Sequence, residues 1–231
     1  MKKALKSSPR GAAFTFAGQR WIVLEHDPAG RTLCLTENIV EEKAFDVDNC
    51  NNFAKASSNA YLNGPFLDNL HEAAGGNAGA FLRSELDLTA DDGLKHYGTC
   101  NVTIFLLTVD QYRRNRDVIP NADDWWWLST AVSTAENGYE HIARYVDAVG
   151  TLSRRYANNG HRGLRPACYL DSDLLISLDE EDVAADQAGE IVKELAEELG
   201  GTFATADQLK AAAAFMFGTL RAARDQEVAH E

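Results

Sequence analysis

The sequence lacks most of the short motifs that identify common enzymes and metal proteins. It has no His-x-x-x-His or paired Cys/His spacing, which argues against the usual zinc sites, and no Gly-x-Ser-x-Gly nucleophile motif. The glycine-rich stretch from Gly75 to Gly79 is not followed by Lys-Ser/Thr, so it is not a P-loop. We therefore expect a protein that is not an enzyme and that needs no cofactor and no metal.

Long apolar runs and an excess of basic charge are also missing. No stretch approaches the roughly 20 apolar residues of a membrane span, and the basic residues 1–10 lead into no apolar segment. We therefore expect no signal peptide, no membrane partner and a cytoplasmic or virion-associated location. The formal net charge of −13 argues against a nucleic-acid partner.

The sequence has only four cysteines, and their spacing matches no paired motif. Cys34, Cys50, Cys100 and Cys168 form no C-x-x-C motif. Cys34 and Cys168 lie in apolar, strand-like runs, where a free cysteine behaves as a small hydrophobe. These features favour a reduced protein over a disulfide framework.

The first half of the chain predicts strands followed by an interrupted helix. Two β-type runs, residues 21–24 and 32–36, flank a turn sequence that contains Pro28 and Gly30, which predicts a hairpin. Ser57 to Leu70 predicts a helix broken at Gly64-Pro65, with an apolar stripe at four-residue intervals. Glu72 to Tyr97 has little pattern and predicts a long loop.

The second half predicts strands with one short helix. Val102 to Leu107 predicts a central strand, and Thr108 with Gln111 predicts a capping box at a helix that ends before Pro120. Trp125-Trp126-Trp127 predicts a strand buried on both faces. A hairpin follows over 142–156, and Gly163 to Leu170 predicts the closing strand.

Residues 179–231 differ from the rest. They carry 13 acidic and 4 basic residues, a net −9 of the total −13. Apolar residues recur at helical spacing on both sides of Gly200-Gly201, which predicts an acidic helical hairpin after a domain that spans residues 1–178. We expect this hairpin to pack against its own domain, to join copies into a homo-oligomer or to attach the chain to a larger assembly.

Six short motifs occur in a characteristic order between residues 14 and 175. They are Phe16-x-Gly18-x-x-Trp21-x-Val23-Leu24, Leu33-x-Leu35-Thr36-Glu37, Tyr61-Leu62-Asn63-x-x-Phe66, Ile104-Phe105-Leu106-Leu107-Thr108, Trp126-Trp127-Leu128-Ser129 and Gly163-Leu164-Arg165-Pro166-Ala167. Together they resemble an uncharacterised domain family of gut bacteria and their phages. The family commonly has Val at position 164, and Ser-Pro where this chain has Ser129-Thr130.

That family resembles the C-type-lectin-like superfold, the scaffold of formylglycine-generating enzymes and of some phage receptor-binding proteins. The resemblance implies an α+β fold with a twisted antiparallel sheet and short helices, and ligand loops near the C-terminal strands. Fold alone does not imply function. The lectin motifs Glu-Pro-Asn and Trp-Asn-Asp are absent, and the acidic turn at Asp123-Asp124 is better explained as a cap of the next strand than as a cation site.

The tryptophans and Arg165 are best explained as structural. At least two of the three indoles should lie in the core, and Arg165 should be held by backbone carbonyls with its stem packed on an indole. The candidate ligand loops are Thr130 to Tyr139 and the segment around Asn158, because Tyr, Asn and Ser suit adaptable recognition. The candidate ligand-binding residues are Ser133, Glu136, Asn137, Tyr139, Asn158, Asn159 and His161.

The leading hypothesis is a non-catalytic binding or assembly protein, associated with a phage or prophage, that presents these loops to a carbohydrate or protein ligand. One alternative is an enzyme on a formylglycine-generating-enzyme-like scaffold. That chemistry uses a pair of cysteines near the closing strands, where this chain has only Cys168, with His161 a possible neighbour. A purely structural virion subunit is the other alternative.

Overall fold

The structure is a computed structural model and describes residues 2–177. Short strands dominate this part of the chain. In chain order the first strands are β1 (Lys2–Ala4), β2 (Ala13–Phe16), β3 (Gln19–His26), β4 (Arg31–Thr36), β5 (Glu41–Glu42), β6 (Phe81–Leu82) and β7 (Ser84–Asp87). The remaining ones are β8 (Thr99–Val102), β9 (Ile104–Leu106), β10 (Trp126–Ala131), β11 (Ile142–Val146), β12 (Leu152–Tyr156), β13 (Gly163–Leu164), β14 (Pro166–Asp171) and β15 (Leu175–Ser177).

Within residues 2–177 these strands form three sheets. The larger sheet has the order β1-β15-β2-β3-β4-β14-β6, with β9 also paired to β14, and the second sheet has the order β12-β11-β10-β13-β5. Strands β7 and β8 form a separate ribbon. All of the pairings are antiparallel except that of β10 with β13. The expected α+β class with mostly antiparallel sheets is therefore confirmed, whereas the predicted helical hairpin over residues 179–231 lies outside the described residues.

The predicted N-terminal hairpin and interrupted helix are both present. Strands β3 and β4 pair antiparallel across the predicted turn. The helical region consists of α1 (Ser57–Tyr61), a π-helical turn (Leu62–Phe66) and α2 (Leu67–Ala74). Gly64 leaves helical geometry before Pro65, which explains the break. The predicted apolar stripe is buried, and it consists of Leu62, Phe66 and Leu70.

Two predictions for the middle of the chain are wrong. The predicted loop from Glu72 to Tyr97 contains the end of α2, a 3₁₀ segment (Gly75–Ala80) and strands β6 and β7. The predicted single strand from Val102 to Leu107 is divided at Thr103, because the side chain of Asn63 intervenes. Its Oδ1 accepts hydrogen bonds from the backbone N–H groups of Thr103 and Ile104, and its Nδ2 donates to the carbonyl of Ile104.

Helix α3 (Val109–Arg114) begins with the predicted capping box. The side chain of Thr108 accepts from the N–H of Gln111, and the side chain of Gln111 accepts from the N–H of Thr108. These bonds satisfy two backbone donors at the helix start. The helix itself is short and ends well before Pro120.

The tryptophan strand lies at the centre of the core, as predicted. Trp126 and Trp127 have no exposed surface, whereas Trp125 is half-buried and stacks on Tyr145 with ring centroids 5.0 Å apart. The guanidinium of Arg162 covers Trp125 at 3.8 Å. The ring of Trp125 is therefore already in contact with two side chains of the protein, those of Tyr145 and Arg162.

The predicted closing strand is divided at Arg165, where the chain passes from the second sheet (β13) to the larger sheet (β14). Arg165 is fully buried. Its guanidinium donates to the backbone carbonyls of Thr36, Glu37 and Pro120 at 2.8–3.0 Å and lies 5.2 Å from the centroid of Trp126. This arrangement confirms the expected structural role, and Arg165 joins both sheets at the point where the chain changes direction.

None of the helices within residues 2–177 combines the length and the apolar character that a bilayer crossing requires.

Candidate ligand-binding site

The candidate loop after the tryptophan strand begins later than predicted. Thr130 and Ala131 still belong to β10, so the loop itself starts at Val132. Ser133 is buried, and a 3₁₀ turn (Ala135–Asn137) follows and presents Glu136 to solvent. Gly138 adopts the left-handed conformation at φ 68°, which allows the chain to turn back before Tyr139.

Asn51 holds this loop in place from a segment some 80 residues earlier. It has no exposed surface, and its Nδ2 donates to the carbonyls of Ser133, Tyr139 and Ile142 at 2.9, 2.7 and 2.8 Å. Its Oδ1 accepts from the hydroxyl of Tyr97, which in turn accepts from the N–H of Ala135. Because buried amides need such partners, one side chain fixes both ends of the loop.

Two of the candidate residues bind the loop to the β7–β8 ribbon. Asn137 Nδ2 donates to Ser133 Oγ at 3.2 Å and to Asp92 Oδ2 at 3.4 Å. Hydrogen bonds from the Ser133 hydroxyl, from the Leu94 N–H and from Asn137 lower the pKa of Asp92 below its ordinary value. Ser133 therefore acts as a support of the loop, and because it is buried it offers little surface to a ligand.

The most accessible aromatic surface is a stack of three rings. Tyr139 lies against His141 with centroids 6.2 Å apart and planes 11° apart, and His141 lies against Tyr156 at 5.4 Å and 17°. Tyr139 is 47 % exposed and Tyr156 is 55 % exposed. Both tyrosines at the ends of the stack are therefore accessible to solvent, whereas the central His141 is half-buried.

The stack brings the two candidate loops together. Strands β11 and β12 pair so that Ile142 lies opposite Tyr156, and the N–H of Ala157 donates to the carbonyl of His141. The chain then turns at Asn158 and Asn159: Asn158 N–H donates to Asn49 Oδ1, and Asn159 Oδ1 accepts from the N–H of His161. Asn158 and Asn159 thus follow directly after one end of the stack.

His161 and Glu136 lie apart from the rings. His161 is exposed, and within residues 2–177 no ring contact or side-chain hydrogen bond joins it to the stack. Glu136 is exposed as well, with its carboxylate 4.0 Å from the imidazole of His96. The predicted set therefore divides into a support (Ser133), residues beside the rings (Asn137, Tyr139, Asn158, Asn159) and two outlying side chains.

Exposed apolar side chains concentrate around this surface. Val47, Tyr139 and Tyr156 are three of the five large apolar residues that are exposed within the described part of the chain. The segment that carries Val47 is joined to both loops by the backbone hydrogen bonds from Asp46 to Ala157 and from Asn51 to Glu140. Such clustering is typical of an interaction surface.

The alternative enzyme hypothesis needs an accessible thiol near the closing strands, and Cys168 at that position is buried. Cys168 lies directly opposite Cys34 in the pairing of β14 with β4, and neither has exposed surface. Burial raises the pKa of both thiols, so they stay protonated. His161 is exposed, whereas Cys168 is buried in the larger sheet.

The acidic turn before the tryptophan strand is arranged as a cap. Asp124 Oδ1 accepts a hydrogen bond from the N–H of Trp125 at 2.7 Å. Among residues 2–177 no group of three or more His, Cys, Asp or Glu side chains is placed to hold a metal ion.

Several residues at this site could not be found from the sequence pattern. Asn51, Tyr97, His141 and Tyr156 were not predicted, because their roles depend on contacts between distant segments. The hairpin prediction contains a weak signal for His141 and Tyr156. If residue 142 pairs with residue 156, residue 141 lies next to the end of the strand that carries Tyr156.

Residues 75–172 match a family model that is described as a domain of unknown function, DUF6273. The match covers both candidate loops and is consistent with the expected uncharacterised domain. No curated protein and no solved structure is significantly similar to the chain.

Proposed function

We propose that this chain is a non-catalytic binding protein that holds a carbohydrate on the Tyr139–His141–Tyr156 stack. The observation that carries the proposal is the exposure of two tyrosine rings: Tyr139 lies in a loop that Asn51 holds by hydrogen bonds, and Tyr156 lies at the end of β12. Aromatic faces suit the C–H faces of sugar rings. A fixed loop also loses little conformational freedom on binding, which favours affinity.

Polar side chains beside the rings supply the groups that a sugar needs. Asn137 precedes Tyr139, and Asn158 and Asn159 follow Tyr156. Carboxamides both donate and accept hydrogen bonds, as sugar hydroxyls do. The outlying Glu136 and His161 would contact only a ligand longer than one sugar unit.

The C-type-lectin-like scaffold, the phage or prophage association and the oligomer remain part of the proposal on the sequence resemblance and on the pattern of residues 179–231. If the tail joins copies of the chain, weak single sites act together and apparent affinity rises. Light scattering of the full-length protein over a dilution series tests this part. A monomer at every concentration would contradict it.

A glycan array probed with the full-length protein tests the binding site. We expect selective binding that is lost in the double variant Tyr139→Ala/Tyr156→Ala. Val149→Ala is the matched control, because Val149 is 73 % exposed at the other end of the same hairpin. Binding that survives in the double variant would contradict the proposed site.

A protein ligand is the second candidate, because the exposed Val47 extends the apolar surface beyond the rings. A chain that binds no glycan on the array would favour this candidate over the carbohydrate.

A further inference from the structure

A cavity lies beside the larger sheet, lined by residues other than those of the aromatic stack. Its volume is about 430 Å³, within the range of roughly 300–1,000 Å³ that small-ligand pockets occupy. Strands β3 and β4, the segment after β4 and helices α1 and α2 surround it. Its lining includes Gln19, Arg20, Asn38, Tyr61, Phe66 and Asn69, and we call this cavity the amide cleft.

Three carboxamides from three different elements meet in the amide cleft. Gln19 lies at the start of β3, Asn38 follows β4, and Asn69 lies in α2. None of the three side chains hydrogen-bonds to any residue of the described part of the chain. Asn38 and Asn69 are exposed and Gln19 is half-buried, so a ligand in the cleft could reach carboxamides that both donate and accept hydrogen bonds.

Two aromatic residues, Tyr61 and the almost fully buried Phe66, contribute to the lining of the cleft. The rings of Tyr61 and Phe66 have centroids 6.2 Å apart, and Tyr61 is half-buried. Lys43 Nζ lies 4.8 Å from the Tyr61 centroid, and the Tyr61 hydroxyl lies 3.4 Å from a carboxylate oxygen of Glu41. These neighbours hold the Tyr61 ring in place beside the carboxamides.

The charges around the cleft are balanced. The one guanidinium in its lining, that of Arg20, pairs with the carboxylate of Glu37 at 2.6 Å. An anion would meet the carboxylates of Glu37 and Glu41, and an apolar ligand would leave the carboxamides unpaired at a cost in affinity. A neutral ligand with many hydroxyl groups matches both the carboxamides and the half-buried ring of Tyr61.

One lining residue of the cleft is tied to the core. Thr36 is buried, and its carbonyl accepts a hydrogen bond from the buried Arg165 at 3.0 Å. A ligand in the cleft would therefore contact at least one residue whose position the core already determines.

From these observations we propose that the amide cleft binds a neutral mono- or disaccharide. The proposal does not rest on the aromatic stack, because the amide cleft involves the larger sheet and the stack involves strands β11 and β12 of the second sheet. It gives the chain two independent saccharide sites, one a cavity and the other an open surface.

NMR titration of the ¹⁵N-labelled full-length protein tests this proposal with glucose, galactose, mannose, N-acetylglucosamine and lactose, and with glucuronate as the charged comparison. We expect one of the neutral sugars to shift the side-chain amide signals of Gln19, Asn38 and Asn69 in a saturable manner. The double variant Gln19→Ala/Asn69→Ala should weaken that binding at least tenfold. Asn101→Ala, which removes an exposed carboxamide elsewhere, should leave it unchanged.

Two results would overturn the proposal. One is the absence of saturable shifts at these three amides with every neutral sugar, and the other is tighter binding of glucuronate than of its neutral counterparts. The variant Tyr139→Ala/Tyr156→Ala separates the two sites, because it should leave this titration unchanged even if the proposed function fails.

Discussion

The carboxamide nitrogen of Asn51 lies 2.7 Å from the carbonyl oxygen of Tyr139, although the two residues are 88 positions apart in the chain. The same nitrogen also contacts the carbonyls of Ser133 and Ile142. The exposed ring of Tyr139 is thus placed by a buried residue that no ligand would touch. The shape of the candidate site therefore depends on a residue of the core.

Replacement of Asn51 should therefore destabilise the whole domain. Asn51→Ala removes the hydrogen bonds to the carbonyls of Ser133, Tyr139 and Ile142 and to the Tyr97 hydroxyl, at a cost of about 3 kcal/mol in the free energy of unfolding. Asn51→Asp should cost more at neutral pH, since it turns a carboxylate oxygen towards those carbonyls. Urea denaturation measures both variants.

Asn101→Ala is the matched control for Asn51, because its side chain is exposed and makes no hydrogen bond within the described residues. It should change the free energy of unfolding by less than about 0.5 kcal/mol. Equal stability of Asn51→Asp and the wild type would show that Asn51 does not hold the loop.

The pKa of Asp92 reports on the order of the candidate loop. The Ser133 hydroxyl, the Leu94 N–H and Asn137 all hydrogen-bond to the Asp92 carboxylate and lower its pKa below 3.8. A lowered pKa of an acid stabilises the fold above the ordinary pKa, and this contribution is lost as the pH falls through the folded-state value. The contribution of the Asp92 carboxylate to the loop should therefore be present at neutral pH and be lost as the pH falls below the ordinary pKa of an aspartate.

Carboxyl-detected NMR titration measures this directly. In Ser133→Ala the pKa of Asp92 should rise towards 3.8, whereas that of Asp87, which bonds to the Thr89 hydroxyl and N–H instead, should stay below its ordinary value. An unchanged pKa of Asp92 would mean that Ser133 does not support the loop.

Arg165 should be essential for stability. Arg165→Met retains much of the stem but leaves the carbonyls of Thr36, Glu37 and Pro120 unpaired, at a cost of about 3 kcal/mol or more. Arg165→Lys should recover only part of this loss, because an ammonium group cannot match the planar fork. Arg154→Met, at an exposed position in β12, is the control for thermal unfolding. Equal melting temperatures for the two Met variants would contradict the assignment.

Gly163 is required by a close approach of the backbone to Ile39. A methyl group at position 163 would lie 2.5 Å from Ile39 Cγ2, so Gly163→Ala should destabilise the protein by about 1–3 kcal/mol. Gly160→Ala, with open space around it, should have little effect. The double variant Gly163→Ala/Ile39→Ala should be more stable than the sum of the single effects. Strict additivity in chemical denaturation would exclude the clash.

The sequence predicted the elements whose signals are local. The capping box of Thr108 and Gln111, the β3–β4 hairpin, the break at Gly64 and the buried tryptophans are all confirmed. Each depends on residues within a few positions of one another or on the burial of large apolar side chains. Arg165 could be predicted because a buried guanidinium must find several acceptors.

The errors arose where a distant partner decides the local structure. β6 has two residues and exists because β14 offers an edge to pair with, which no pattern in Phe81-Leu82 reveals. The break at Thr103 comes from Asn63, some 40 residues earlier. The candidate loops could be predicted from composition, but the stack could not, because His141 and Tyr156 meet through the register of β11 and β12.

Calorimetry tests the central claim most directly. It measures the affinity of a glycan identified on the array for the wild type and for the Tyr156→Phe and Tyr156→Ala variants. If the ring stacks on a sugar, the Phe variant should bind within about threefold of the wild type, and the Ala variant should lose about tenfold or more, which corresponds to about 1.4 kcal/mol. Equal binding by wild type, Phe and Ala variants would show that the stack is not the binding surface.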